Sequence, residues 1–354
     1  MSKTKIYFIG RKQGIGFRRF RISHLENRRR YEADGLRDAN KSITQTRWMK
    51  EADVIWVRVR PEHTTDKQRH IIEKRLKTIR NRILVINDIN IFNNYDCKNL
   101  SFQIWKDNSL PCPQFIDIGL KIASGDIKST VNTISQFINQ HRAIFLRTNN
   151  ETASLGMFHL TKNSTENEIE IALKSLINRC QTLRKTRAST SIMATQFIMP
   201  ENKNSYQNLY RAHVLFGKIL SFYVVTSKKP IFHNIDMEYS DIHRFIELNE
   251  SLCKTIPTLE KQILKATSAL GCNLGAIEFF LIKGEPIFIE LNPMWGGHAS
   301  ISGFGNDEMQ TYLIENRSIL KDRIPNIYNF MDRRDYYCNL YKFINQHIKG
   351  SYPK

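Results

Sequence analysis

The segment from Gly271 to Pro293 constrains this chain more than any other. Two apolar, β-prone runs flank a turn at Gly284-Glu285-Pro286. Glu278 interrupts the first run, and the second ends in Glu290-Leu291-Asn292-Pro293. Ordinary hairpins put charge at turns and on wet faces. Here Glu278, Glu290 and Asn292 stand where a buried strand would carry Val or Ile. Oxygen donors in an apolar sheet point to a hard divalent cation and, with it, a phosphate-bearing substrate. A hairpin with exposed acids along one edge is the competing reading.

Strand geometry sets a condition on the metal reading. Side chains alternate faces, so Glu290 and Asn292 share one. An odd number of loop residues brings Glu278 onto that face. An even loop, such as a two-residue Gly284-Glu285 turn, puts it on the opposite one. A three-residue or bulged connection is therefore required, and Gly284 permits it.

The chain has 354 residues, enough for two or three domains with a real core, and 41% of them are hydrophobic. No apolar stretch approaches the roughly 20 residues a membrane span needs. The N-terminal run Ile6-Tyr7-Phe8-Ile9 is too short for a secretory signal and reads as a first strand closed by Gly10. Six cysteines (Cys97, Cys112, Cys180, Cys253, Cys272, Cys338) are widely spaced, with no Cys-x-x-Cys pair. They form neither a disulfide framework nor a zinc site, and a reducing cytoplasm is expected. The net charge of +19 is concentrated early: residues 1–82 carry 23 Lys+Arg against 9 Asp+Glu, and the rest carry 30 against 25. Clusters at Arg18-Arg19-Phe20-Arg21, Arg28-Arg29-Arg30 and Arg58-Val59-Arg60 attract anions, whether phosphate, nucleic acid or acidic peptide, or else form a solvated basic face.

Periodicity predicts a parallel α/β layer first. Strands are read at Lys5–Ile9, Val54–Val59 and Ile83–Ile86, with a helix over Asp66–Arg80. Ile55, Val57 and Val59 share one face of the second strand, and Trp56 points to the other. The loop Gly10–Phe17 has the glycine content of an anion-binding loop without the dinucleotide spacing. Further on, helices are read at Lys98–Trp105, Ile127–Gln140, Asn167–Cys180, Asp241–Thr255 and Pro257–Leu270, with Pro257 in a first turn. Strands are read at Ala143–Leu146, Met157–Leu160 and Ile192–Ile198, and a hairpin at Tyr210–Thr226 turns about Gly217-Lys218.

In this order the features resemble the ATP-grasp superfamily, the fold of D-alanine–D-alanine ligase, glutathione synthetase and the carbamoyl-phosphate synthetase ATP domains. The resemblance covers roughly residues 87–307. It is carried by Leu110-Pro111-Cys112-Pro113, by Phe145-Leu146-Arg147 with Ser154-Leu155-Gly156-Met157, by Met193–Ile198, by Tyr210-Arg211-Ala212-His213-Val214, and by the run from Ala269 through Pro293 to Trp295-Gly296-Gly297. It implies an N-terminal pre-ATP-grasp α/β layer (1–88), then a two-lobed ATP-grasp α+β fold (89–320) and a helical tail (321–354). The nucleotide lobe would span about 142–200 and the metal-binding lobe about 201–320.

The resemblance also implies roles. Glu278, Glu290 and Asn292 would hold Mg²⁺. Arg211 would touch phosphate or an acyl phosphate. Arg147 would bind phosphate, backbone amides near Ser154 and Gly156 would cover the phosphates, and the backbone of Gln196 and Ile198 would read adenine. The implied activity is ATP-dependent activation of a carboxylate as an acyl phosphate and its transfer to an amine. Four departures stand out, one of them Met294 after Asn292-Pro293, where several members have Arg, which removes a substrate-facing charge. The family has Lys where this chain has Arg147. Its second lysine, in the helix after Lys98, aligns near Phe102 or Gln103, which removes that contact. Thr195 stands near the usual acidic hinge residue. The basic N-terminus suggests an anionic acceptor: an acidic peptide, a phosphorylated metabolite or RNA. A nucleic-acid-binding protein with a regulatory or degenerate ATP-grasp frame, or a nucleic-acid-modifying ligase, is the alternative.

Overall fold

The structure, a computed structural model, describes residues 6–10, 52–59, 61, 64–151, 155–200, 206–293, 304–329, 343–348 and 350. The glycine loop after Gly10, the arginine clusters of residues 18–30, Arg60, Ser154, Trp295-Gly296-Gly297 and His298 lie outside the described residues.

Strands β1 (Ile6–Gly10), β2 (Val54–Arg58) and β3 (Leu84–Ile86) form a parallel sheet in that order. As expected of a parallel layer, β2 is buried on both faces. Ile55 and Val57 pack with Ile72 and Leu76 of α1 (Asp66–Leu76), whereas Val54 and Trp56 enter a second cluster with Leu215, Tyr223 and Phe304. Helix α1 starts at a capping box in which Thr65 and Gln68 satisfy each other's orphan amides. Two short helices follow, α2 (Phe92–Asp96) and α3 (Lys98–Asp107).

The next sheet is antiparallel, in the order β4 (Phe115–Asp117), β7 (Ile192–Gln196), β5 (Ala143–Thr148), β6 (Met157–Thr161). Three residues after a proline carry too little periodicity to reveal β4 in the sequence; it exists as an edge strand on β7. Helix α4 (Leu120–Gly125) was likewise too short to read. Helices α5 (Ile127–His141) and α6 (Glu166–Arg184) cover one face, packing Ile134, Ile138, Leu173 and Leu176 onto Ile144 and Leu146. Phe145 and Arg147 therefore point from the other face.

The third sheet runs β11 (Glu285–Asn292), β10 (Leu274–Ile282), β8 (Gln207–Leu215), β9 (Lys218–Ser227), all antiparallel. The β8–β9 turn is Phe216-Gly217, both at positive φ, one residue earlier than the sequence suggested. Helix α7 (Ile242–Ala269) backs this sheet as one 28-residue helix with Pro257 inside, not two helices meeting at the proline. Leu252, Ile256, Leu259 and Ile263 form an unbroken buried stripe across it. A proline inside a helix costs roughly 3 kcal/mol. Burying four aliphatic side chains contributes about 1.5–3 kcal/mol each, so the stripe wins. Helices α8 (Asp307–Glu315), α9 (Arg317–Arg323) and α10 (Pro325–Asn329) pack Leu313, Leu320 and Tyr328 into the cluster that holds Trp56.

Trp105 knits the layers. Its indole N–H donates to the Ala266 carbonyl at 2.8 Å, and its ring lies 5.8 Å from that of Phe288. The Phe288 amide donates to Pro111 at 3.0 Å, so the linker after α3 is fastened to β11.

Candidate active site

The β10–β11 turn has two residues, Lys283 and Gly284, both at positive φ. An even turn was expected to put Glu278 on the wrong face. A β-bulge corrects the phase: Phe279 pairs with Phe288, and Glu278 pairs with Glu290, leaving Ile289 as the extra residue. The bulged connection that the metal reading requires lies inside the ladder, not at Gly284.

Glu278, Glu290 and Asn292 consequently share a face. The Asn292 amide donates to Glu278 Oε1 at 2.9 Å. Arg211 on β8 lies directly across from Glu278 and forms an ion pair with it. The Arg211 guanidinium also sits over the Tyr223 ring, 5.7 Å from its centroid. Two strand neighbours thus hold the arginine over the acids.

Lys98 joins them from outside the sheet. Its ammonium is 3.4 Å from Glu290 Oε1, and its side chain is only 5% exposed. It is the first residue of α3, where a cation opposes the helix dipole, and burial further disfavours its charge. Burial pushes the Lys98 ammonium below the ordinary lysine value, and Arg147 adds to this while Glu290 opposes it. A residue that breaks two local rules at once marks a site better than a packing role. Burial alone would raise the Glu290 carboxyl; Lys98, then Arg147 and Arg211, outweigh it and hold the acid below the usual range. Arg147, half-buried and lowered by that burial, is steadied by the fields of Glu290 and Glu151 and donates to the Thr148 and Glu151 carbonyls, each at 3.2 Å.

Three cations therefore converge on two carboxylates and an amide. Among the described residues no cluster of three His, Cys, Asp or Glu forms a closed metal cage. The donor chemistry fits Mg²⁺ all the same, because that ion takes one or two carboxylates and completes its shell with water and substrate phosphate. The excess of cations matches the phosphate.

The loop that positions Arg147 is buried although wholly polar. Thr148, Asn149, Asn150 and Glu151 are each at most 5% exposed. Asn149 receives the Ser191 amide on Oδ1 at 2.8 Å, and its carbonyl accepts the Lys98 amide at 2.8 Å. Arg187 bridges the Asn150 carbonyl (2.6 Å) and the Asp96 carboxylate (2.9 Å) in a fully buried pair. Arg179 grips Glu151 with two bonds of 2.5 and 2.6 Å. This network fixes both Lys98 and Arg147 relative to Glu290.

No family model matches the sequence, and no curated protein sequence matches it significantly. Solved structures do match the fold. The ATP-grasp ligase PsnB, complexed with a minimal precursor, is 11% identical with a TM-score of 0.52, over 88% of this chain and 99% of that one. A second PsnB structure, with minimal precursor, Mg and ADP, is 10% identical with a TM-score of 0.50, covering 91% and 99%. D-alanine–D-alanine ligase from Bacillus anthracis is 12% identical with a TM-score of 0.50, covering 97% and 100%.

This chain has the ATP-grasp fold.

Within the ATP-grasp frame, Glu278, Glu290, Asn292, Arg211 and Arg147 lie close together. Lys98 was missed. Of the two positions considered for the family's second lysine, Phe102 is in the core, and Gln103 bonds Asp107 on the surface. A signal existed, since Lys98 falls on the same helical stripe as Phe102 and Trp105. Gly156 is explained by packing: at φ +58° an added Cβ would lie 2.6 Å from Glu151 Oε2. Its carbonyl accepts the Thr148 amide at 3.1 Å. The Gln196 amide is committed to the Gln114 carbonyl at 2.8 Å, so any adenine contact from this residue runs through its carbonyl. Ile198 lies half-buried beyond the end of β7.

Proposed function

We propose that the protein is an ADP-forming carboxylate–amine ligase that uses Mg²⁺ and ATP. The observation that carries this reading is the juxtaposition of Glu278 and Glu290, with Asn292 beside them and Lys98, Arg147 and Arg211 around them. Glu278, Glu290 and Asn292 would hold Mg²⁺, which when bound neutralises charge on the phosphates. Lys98 and Arg147 would neutralise the phosphate chain from the opposite side. A substrate carboxylate oxygen attacks the γ-phosphorus and ADP leaves, giving an acyl phosphate. An amine then attacks the acyl carbon, phosphate leaves, and the amine proton is lost. Arg211, paired with Glu278, would steady the acyl phosphate. Catalysis on this plan is positioning and electrostatics.

The fold match to ligases supports this class, and the structure of PsnB with Mg and ADP supports the cofactors. The basic N-terminal segment supports an anionic acceptor, with an acidic peptide the first to try. Among the described residues no helix is long and apolar enough to cross a membrane. ADP release should be measured over a panel of carboxylates and amines with Mg²⁺. Turnover is expected to require both substrates and to be abolished in Glu290→Gln. Unchanged turnover in that variant overturns the assignment of the acid.

A further inference from the structure

Asn87 follows β3 in the N-terminal layer, yet its side chain reaches the metal-site hairpin. It is 1% exposed and holds φ at +51°, a conformation that costs a non-glycine residue free energy, though asparagine least. Its Nδ2 donates to the Leu274 carbonyl at 2.6 Å and to the Pro293 carbonyl at 3.0 Å. Its Oδ1 accepts the Leu274 amide at 3.2 Å. Asn273 reciprocates: its Oδ1 accepts the Asn87 amide at 2.9 Å, and its Nδ2 donates to the Val85 carbonyl at 3.1 Å.

Leu274 opens β10 and Pro293 immediately follows β11. One amide group therefore ties the two strands together at the end of the hairpin opposite its turn. Asn292 precedes Pro293 and bonds Glu278. The end of an edge strand frays readily, and Asn292 lies at such an end. We propose that Asn87 is a positioning residue for the metal site: it fixes the end of β11, and with it Asn292, against Glu278. It also makes the N-terminal layer part of the metal site's support. This inference rests on the Mg-ATP reading. Supports of this kind around metal ligands change metal affinity by about 10–100-fold when removed. Since Asn87 acts through the backbone, the lower end applies.

The test is ATP binding by the full-length protein, followed by calorimetry while Mg²⁺ is varied. Asn87→Asp keeps the side-chain volume and the acceptor but loses both donated bonds. Asn87→Gly suits φ +51° and removes the whole clasp, and it carries the test if the aspartate variant does not fold. In either variant the Mg²⁺ concentration for half-maximal ATP binding is expected to rise about tenfold. Saturating Mg²⁺ should restore ATP affinity to near wild type, a rescue that a merely structural pin would not show. Wild-type Mg²⁺ midpoints in the folded variants overturn the positioning role alone. Absence of Mg²⁺-dependent ATP binding in the wild type overturns the parent reading, and this inference with it.

Discussion

Glu278 lies directly opposite Glu290 across the β10–β11 ladder although the turn joining their strands has an even number of residues. Ile289 supplies the missing residue of phase. The turn and the bulge can therefore be separated experimentally. Nothing lies within 4 Å of a Cβ added at Gly284, so the turn has room. Inserting one glycine after Gly284 should leave the register, and Mg²⁺-dependent ATP binding, within about threefold of wild type, since lengthening a short loop costs well under 1 kcal/mol. Deleting Ile289 removes the bulge but leaves Phe288 opposite Phe279, so Glu290 still pairs with Glu278 and the binding should survive; its loss would show that the bulge itself, and not only the pairing, is needed. Calorimetric titration of both variants checks the pair.

Lys98 should matter more for nucleotide than for folding. Lys98→Met keeps an apolar stem in the buried position and removes only the ammonium. Removing one partner of a buried ion pair is costly when it strands the other charge, but Arg147 and Arg211 remain near Glu290, which is itself partly exposed, and keep that charge compensated. Mg-ATP affinity is expected to fall about tenfold or more, because a charge-assisted contact to phosphate is lost. The melting temperature should move by only a few degrees. A large loss of stability with unchanged affinity would assign Lys98 to structure instead.

Much of this was legible in the sequence where a periodic rule applied. The acids of the hairpin stood out because strand alternation left Glu278, Glu290 and Asn292 in apolar company. The two buried faces of β2 followed from Ile55, Val57 and Trp56. Lys98 was not recognised because the helix was read for its apolar residues, although the lysine occupies the same stripe. The sequence 148–151 reads as a polar loop. Its burial depends on partners far along the chain, Arg179 and Arg187, which no local pattern reveals. Pro257 was read as a boundary because local propensity says so; a stripe of core contacts on α7 overrode it.

Glu151 gives that buried loop a pH dependence. Burial alone would raise its carboxyl, but the Arg179 fork and the Thr148 hydroxyl outweigh it and hold the acid below the ordinary range. Between the folded value and the ordinary glutamate value the folded state binds fewer protons than the unfolded state. Stability therefore rises with pH there, is fully present above the ordinary value, and is lost as pH falls through the folded value. Glu151→Gln should be less stable than wild type at neutral pH by about 1 kcal/mol, the low end of the usual range because Arg179 is 40% exposed. The difference should shrink on acidification below about pH 5. Thermal melts of both proteins across this range test the sign; a difference that is constant with pH would refute it.

Pro257 is exposed on α7, between the buried Ile256 and Leu259. It has no amide hydrogen, so the Cys253 carbonyl one turn earlier loses its intrahelical donor, and the proline ring crowds the same turn. The flanking stripe is complete without the proline ring. Pro257→Ala restores the donor, removes the crowding and introduces the best helix former, with no core contact given up. The helix has already relaxed around the ring, so the gain should fall below the full difference between the two residues: about 1–2 kcal/mol of added stability. Urea unfolding should show a higher midpoint at an unchanged slope. A drop in stability would mean that the proline sets a helix curvature needed to lay α7 across both the Phe245 and the Ile263 ends of the sheet.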